Sequence, residues 1–423
     1  MVELTIITGV IPVRPNFSLL SIAGLLAVSM VPIYALETSF SASEELLYRW
    51  ELVATENSPQ RESGSVFVMK DQDTIGVFGG YSEALDISGF TQPTESTFFN
   101  DIILFHAPTQ TWKTQPAKRG PLPSPRTMSC TVYHESTNAL YVFGGVSFAA
   151  DFSSFTYYGD HWKFDFDENT WTALTTMEPS PSARASSGCA LVDDAIYLFS
   201  GGGENFSIDN ELWRYDISSN AWTLLQANAS EATNRPPART QSNFAKVPGE
   251  NKLLVQGGDA FDRIPDPPFL VAKTQEDVWV YDIETDTWES KAVHNKPALP
   301  HNHQAFAFIS SRYFLVQNGD AQGAKTVADT CQFPLQCLIP AMPTNDTFVY
   351  DLVEERWSFL PLASASLPPT RRSMMGRLGD TIYLFGGYGW DGANGYSSEG
   401  KIGNENTWKL QIAPQYLEDF FYP

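Results

Sequence analysis

Positive charge is what this sequence has least of: 27 Lys and Arg stand against 49 Asp and Glu in 423 residues, a formal net charge of −22. Such a field repels phosphate backbones and anionic lipid surfaces, and no basic run counters it, so nucleic acid is not the expected partner. The acidity itself reads as a solvated, soluble surface. Histidine is scarce as well, with six in the chain. His301 and His303 alternate and would share one face of a strand, a pair that could suit a metal. Spacing specifies no third ligand, and ordinary strand histidines are the plainer reading. His106, His134, His161 and His294 are scattered. There is no nucleophile elbow, phosphate loop or zinc motif, and nothing calls for a cofactor.

Cysteine is limited to four residues. Cys130 and Cys189 lie in apolar, strand-like stretches and read as buried free thiols. Cys331 and Cys337 bracket the loop CQFPLQC, which could close as a local disulfide in an oxidising compartment. Long hydrophobic runs are limited to one, from Phe17 to Leu36, charge-free between Arg14 and Glu37. With small residues and Pro32 ahead of Ala35, residues 1–35 read as a secretory signal. About 20 apolar residues also suffice to span a bilayer, so a retained signal anchor is the alternative, and a buried core helix the third. Acceptor sequons at Asn205, Asn228 and Asn345 point the same way. The expectation is a secretory-pathway protein, extracellular or tethered by this N-terminal segment.

What the chain has in quantity is repetition. A glycine pair follows a β-rich apolar run at IGVFGG (Gly79, Gly80), LYVFGG (Gly144, Gly145), IYLFSGG (Gly201, Gly202), LLVQGG (Gly257, Gly258) and IYLFGG (Gly386, Gly387). FLVQNG, with Asn318 and Gly319, is a degenerate sixth copy. A second mark is a tryptophan closing a hairpin-like segment, at Trp112, Trp171, Trp222, Trp288 and Trp357. Nine residues before each stands Ile103, Trp162, Trp213, Trp279 or Phe348. Between the two lies a polar turn, so the pattern is strand, turn, strand. A third mark opens the repeat: a Pro-rich turn leads to Arg126, Arg184, Arg239 or Arg371, then to a small-residue apolar strand. Arg61 fills this place in the first repeat, and His303 stands near it in the fifth.

Each unit therefore reads as four antiparallel strands, and here the sequence resembles the kelch-repeat family. The resemblance implies an all-β fold, a six-bladed kelch-type β-propeller with one four-stranded blade per repeat. A lone blade leaves apolar faces uncovered, and neighbouring blades must supply the rest. The last unit has NENTWKL with Trp408 but Leu417 nine residues on, where a tryptophan is due. The missing strand is at the other end, LLYRWEL with Trp50. An N-terminal strand closing the last blade would remove two exposed sheet edges. The propeller is expected over residues 41–413, with 414–423 as a C-terminal tail.

Two classes of function stay open. In a four-stranded meander, the connections between strands two and three share a face with those between blades. Most are long here, and loops of such length are functional or disordered. They carry Phe90, Phe152, Tyr157, Tyr158, Phe261, Phe333, Trp390 and Tyr396. Aromatic residues of this kind favour interaction surfaces, although they also pack loops on themselves. The first reading is thus a module that binds a protein or a glycan. Arg126, Arg184, Arg239 and Arg371 would form either a carboxylate-binding ring at the mouth or a set of clamps between blades. The second reading is a secreted enzyme of oxidoreductase type, its metal or acid–base groups converging from several blades at the pore. Neither the ligand set of the copper radical oxidases nor the iron-binding pattern of plant kelch proteins can be placed on this sequence.

Overall fold

The computed structural model describes residues 49–54, 58–84, 95–149, 153–175, 177–229, 233–265, 268–298, 301–321, 342–360, 367–390, 401–412 and 417. All belong to the unit Ser43–Pro423. Segment 1–35, Phe90, Tyr396, Cys331 and Cys337 lie outside the described residues.

Six four-stranded antiparallel sheets follow one another along the chain. Blade I comprises Ser65–Met69, Thr74–Phe78, Ile102–His106 and Thr111–Gln115; blade II comprises Cys130–His134, Ala139–Phe143, His161–Asp165 and Thr170–Leu174. Blade III holds Gly188–Val192, Ala195–Phe199, Leu212–Asp216 and Ala221–Gln226; blade IV holds Asn243–Lys246, Lys252–Gln256, Val278–Asp282 and Thr287–Lys291. Ala305–Phe308, Tyr313–Gln317, Thr347–Asp351 and Arg356–Phe359 make blade V. In blade VI, Met374–Leu378, Thr381–Phe385 and Thr407–Gln411 come from the end of the chain, and Trp50–Ala54 pairs onto Thr407–Gln411 as the outer strand. The sequence resemblance is met: this is a six-bladed propeller closed by an N-terminal strand.

The closing tryptophans show why the repeat needs its neighbours. Trp112, Trp171 and Trp222 pack at ring-centroid distances of 4.9, 5.3 and 5.1 Å on Phe385, Phe78 and Phe143 of the preceding blade. Trp288 meets Phe199 at 5.2 Å. Such aromatic contacts add ~0.5–1.5 kcal/mol beyond area burial. Blades IV and V break the pattern, because Gln256 and Gln317 replace the phenylalanine. Trp50 answers Gln317 with a hydrogen bond, its Nε1 donating to Oε1 at 3.2 Å.

The glycine pair has a backbone reason. Gly79 and Gly80 have φ of +65° and +94°, and a Cβ on Gly79 would lie 2.5 Å from the Arg126 carbonyl oxygen of the next blade. The third repeat corrects the expected register: the pair in this conformation is Ser200 (φ +58°) and Gly201 (+107°), not Gly201 and Gly202. Ser200 is tolerated there because its hydroxyl is engaged, donating to the Arg239 carbonyl at 2.6 Å and accepting from the Arg239 N–H at 2.9 Å.

A further correction concerns cysteine. Cys130 and Cys189 are joined in a disulfide with Cα atoms 5.3 Å apart, tying the innermost strands of blades II and III. The two are 59 residues apart in sequence but occupy neighbouring inner strands, which a repeat alone brings together.

Candidate interaction surface

The connections between strands two and three rise on one face of the ring. In blade I they form the hairpin Tyr81–Ala84/Glu95–Phe98, in blade II Val146–Phe148/Phe155–Tyr157 and in blade IV Asp259–Pro265/Pro268–Thr274. Blade VI adds Tyr388–Trp390/Lys401–Gly403. In blade V, Asp320–Ala321 is flanked by His301–Asn302 and Met342–Pro343. Blade III carries instead a short 3-10 turn, Glu204–Phe206.

Beneath this crown, the repeat arginines are buried. Arg126 and Arg239 are fully buried and Arg184 nearly so. Arg126 donates to both carboxylate oxygens of Asp160, and to the Gly144 carbonyl at 3.1 Å. Arg239 holds Asp277 at 2.7 and 2.8 Å and the Gly257 carbonyl at 2.8 Å. Arg184 divides itself between Asp209 and Glu211, at 2.9 and 3.0 Å. Arg61 repeats the motif with Asp101. Bidentate pairs of this kind fix geometry as well as charge. The repeat tryptophans complete them: the indole N–H of Trp162, Trp213 and Trp279 donates to Asp160, Glu211 and Asp277 at 2.7–2.8 Å. Burial works against ionisation of Asp160, yet Arg126 and Trp162 hold its carboxyl below the usual carboxylate range. These guanidinium groups are engaged as clamps between strands of one blade, while the carbonyls of Arg126, Arg184 and Arg239 accept from Gly80, Gly145 and Gly201 of the blade before.

Arg371 sits elsewhere. Thr370 takes the clamp position in blade VI, its carbonyl accepting from the Gly319 N–H as the Arg126 carbonyl accepts from Gly80. Arg371 is one residue on, with Nε 3.0 Å from Asp320 and its guanidinium 5.4 Å from the Tyr388 ring centroid. In blade V the clamp position falls to His301, whose Nε2 is 3.7 Å from Asp346 and whose ring meets Phe348 at 5.4 Å. His303 points apart from it, with Nδ1 2.8 Å from Asp320 and Nε2 3.7 Å from Asp259. Arg372 reaches Glu62 at 3.3 Å and donates to the Tyr81 hydroxyl. Burial, with Arg372 and Arg371 beside it, holds the His303 imidazole below its ordinary pKa. Among the described residues no three His, Cys, Asp or Glu side chains are grouped to hold a metal.

Aromatic residues do gather, in part where loops were expected to present them. Tyr81, Phe98 and Phe148 form a cluster across the hairpins of blades I and II, with centroids 4.8–5.5 Å apart. Phe155, exposed, extends it at 5.8 Å from Phe148 and 6.4 Å from Tyr157. Burial raises the pKa of Tyr157. Tyr158 turns inward instead, its ring 3.9 Å from the Arg126 guanidinium and its hydroxyl 2.9 Å from Ser147 Oγ. Trp390 stands on the blade VI hairpin. Sequence reasoning missed Phe148 and Phe155, although their alternation with Val146 and Tyr157 carried the hairpin signal. The channel opens on the same face through a cavity of about 320 Å³ whose lining mixes polar side chains, among them Ser129, Gln241 and His303, with apolar ones such as Met128 and Phe244.

A closed ring of repeated blades, clamped from within and bearing raised hairpins on one face, defines a propeller interaction domain. The chain belongs to the kelch-repeat family: the model of the KLHDC2/KLHL20/DRC7 Kelch-repeats domain matches residues 86–319, which is 234 of 423. The chain is similar to Kelch domain-containing protein 10 of Xenopus laevis, 25% identical over 249 residues, covering 59% of this chain and 55% of that protein. The Homo sapiens protein of that name is 23% identical over 268 residues, covering 63% and 57%. Acyl-CoA-binding domain-containing protein 5 of Arabidopsis thaliana is 25% identical over 227 residues, covering 53% of this chain and 30% of its own length. The chain thus spans little more than half the length of the first two relatives. Kelch propellers typically mediate protein interaction. No helix among the described residues is long and apolar enough to cross a membrane.

Proposed function

We propose that this chain is a protein-binding module that engages its partner through the hairpin face, with the aromatic cluster of blades I and II at its centre. The observation that carries this reading is the division of labour on that face. The repeat arginines are engaged below, while Phe155 and Tyr157 rise on hairpins above them. Rigid aromatic side chains on such elements are favoured contact residues. A protein fits this surface better than a glycan, because Phe98, Phe148 and Phe155 offer no hydrogen bonds and the tyrosines beside them offer one hydroxyl each.

The reading is tested by affinity capture with the wild-type chain beside Phe155→Ala/Tyr157→Ala, both melting at the same temperature. A partner kept by the first and lost by the second supports it. A partner kept equally by both moves the site away from this cluster.

We infer further that the chain enters the secretory route, as the apolar segment 17–36 led us to expect. Two observations support this: the Cys130–Cys189 disulfide and the exposure of Asn205 and Asn228. Asn345 is also exposed, but its sequon partner Thr347 is buried and hydrogen-bonded to Gln317. Endoglycosidase treatment of the expressed chain should shift its mobility, and Asn205→Gln/Asn228→Gln should remove that shift; an unchanged mobility overturns the assignment.

A further inference from the structure

The channel has two unlike ends. Opposite the hairpin face it widens to about 610 Å³, within the size range of small-molecule pockets. Its wall there is apolar, built on the inner strands from Val66, Val68, Val132, Leu191, Phe306 and Met375. Among the described residues, the charged ones in that wall are Lys70, Lys246 and Arg377, from blades I, IV and VI, and no carboxylate lines it. This occurs in a chain where acidic residues outnumber basic ones by 49 to 27.

The cations are only lightly engaged. Lys70 is exposed and makes no ion pair among the described residues. Lys246 Nζ is 3.9 Å from Asp193, whose side chain is 83% exposed. Arg377 donates to the Phe308 carbonyl at 3.2 Å and lies 3.3 Å from Asp380, itself 59% exposed. At such exposure these pairs contribute little. The Thr131 hydroxyl, at the waist of the channel, is buried without a hydrogen-bond partner.

We propose that this end of the channel is a binding site for an amphipathic anion, a small molecule with an apolar body and a single anionic head. The body displaces water from the valine, phenylalanine and methionine wall, which contributes roughly 25 cal/mol per Å² buried. The head sits at the rim in the field of Lys70, Lys246 and Arg377, which stand on different blades around it, and contacts at least one of them. A rigid body suits a rigid ring, since little conformational freedom is lost on entry.

Two fluorescent probes with one body test this: 1-anilinonaphthalene-8-sulfonate, which is anionic, and its uncharged parent N-phenyl-1-naphthylamine. Titrated into the full chain, the sulfonate should saturate at one site per chain and bind at least about tenfold tighter than the neutral probe, as one cation contact of ~1.4 kcal/mol requires. Lys70→Glu/Lys246→Glu, both at the channel rim, should weaken the sulfonate by about tenfold or more and leave the neutral probe unchanged. Val68→Trp, which narrows the channel, should weaken both. Equal affinity for the two probes overturns the proposal, as does sulfonate binding that ignores the charge reversal or the Val68 substitution. Circular dichroism and melting of each variant separate a lost site from a lost fold.

Discussion

Between blades II and III the structure places a disulfide, an aromatic contact of Trp222 on Phe143, and backbone bonds from Gly145 N–H to the Arg184 carbonyl at 2.8 Å and from Ser186 N–H to the Met128 carbonyl at 2.9 Å, with the Arg184 side chain clamped beside them on two carboxylates of blade III. Between blades IV and V it places Gln256 where the phenylalanine was, and His301 where the arginine was. The backbone link around the channel is missing too, although at the outer edge His294 bonds to Glu355 and Trp357 at 3.1 and 2.9 Å. Ser63, Met128, Ser186, Gln241, His303 and Arg372 occupy one repeat position, each with positive φ. Five consecutive N–H to C=O bonds join them around the channel, and the bond from His303 to Gln241 is absent. A crevice of about 20 Å³ remains at this seam, lined in part by Gln256, His301 and Trp357. In place of the regular joints stand Asn302 on both oxygens of Asp259, at 3.1 and 3.0 Å, and His303 with its Nε2 3.7 Å from the same carboxylate. The same repeat thus makes a stapled joint on one side of the ring and a polar one on the other. Because each blade leans on its neighbours, the ring opens where its weakest interface lies.

The largest way to break the contrast is Arg184→Ala. It leaves Asp209 and Glu211 without their cation and should cost about 3–5 kcal/mol, read as a fall in denaturation midpoint at constant m-value. His301→Ala at the polar seam should cost well under half of that in the same assay. Next comes the staple. Replacing Cys130 and Cys189 by alanine frees a 59-residue loop and should cost about 2–4 kcal/mol, and hydrogen exchange should then show Gly188–Val192 opening as readily as Ala305–Phe308.

Acid should act through the stapled seam as well. His161 is buried among Tyr215, Trp222 and Phe143, and burial pushes its imidazole down to about 3 from 6.5. The unfolded chain then binds a proton that the folded one refuses. Stability from this group is complete above pH 6.5 and falls by up to ~1.4 kcal/mol per unit as pH drops toward 3. His303, also held low, adds to the loss. Chemical denaturation from pH 7 to 4 should show the decline, and His161→Phe should flatten it. The smallest effect expected is a gain. His301→Arg would install the missing clamp on Asp346 and should raise stability by about 1 kcal/mol, measured by the same midpoint shift.

The two seams also separate what the sequence discloses from what it hides. Six repeats, the closing tryptophans and the N-terminal strand with Trp50 were legible because each rests on a local pattern that recurs. The clamp was half legible: arginine recurs visibly, but its carboxylate lies 25–40 residues on, and its burial depends on a tryptophan whose N–H shares the same acceptor. Register failed where one residue separates two roles, at Ser200 against Gly201 and at Thr370 against Arg371. Glutamine before the glycines in blades IV and V was plain to see. Its consequence was not, because a seam is a relation between two repeats and each repeat taken alone still looks complete. The Cys130–Cys189 bond escaped for the same reason. Of the hairpin face, the aromatic richness could be read, but which rings meet depended on pairings such as Phe148 with Phe155.

The strand that closes blade VI has a cost in time. Trp50 leaves the ribosome 360 residues before Leu410, the residue it pairs with. At about 5–20 residues per second that is an interval of roughly 20–70 seconds. Throughout it the earliest strand is an apolar segment with no sheet to join, while five blades form behind it. Completion of the ring waits on two strands some 360 residues apart finding each other, so a chain that lacks Thr407–Gln411 would carry both an orphaned first strand and an open edge.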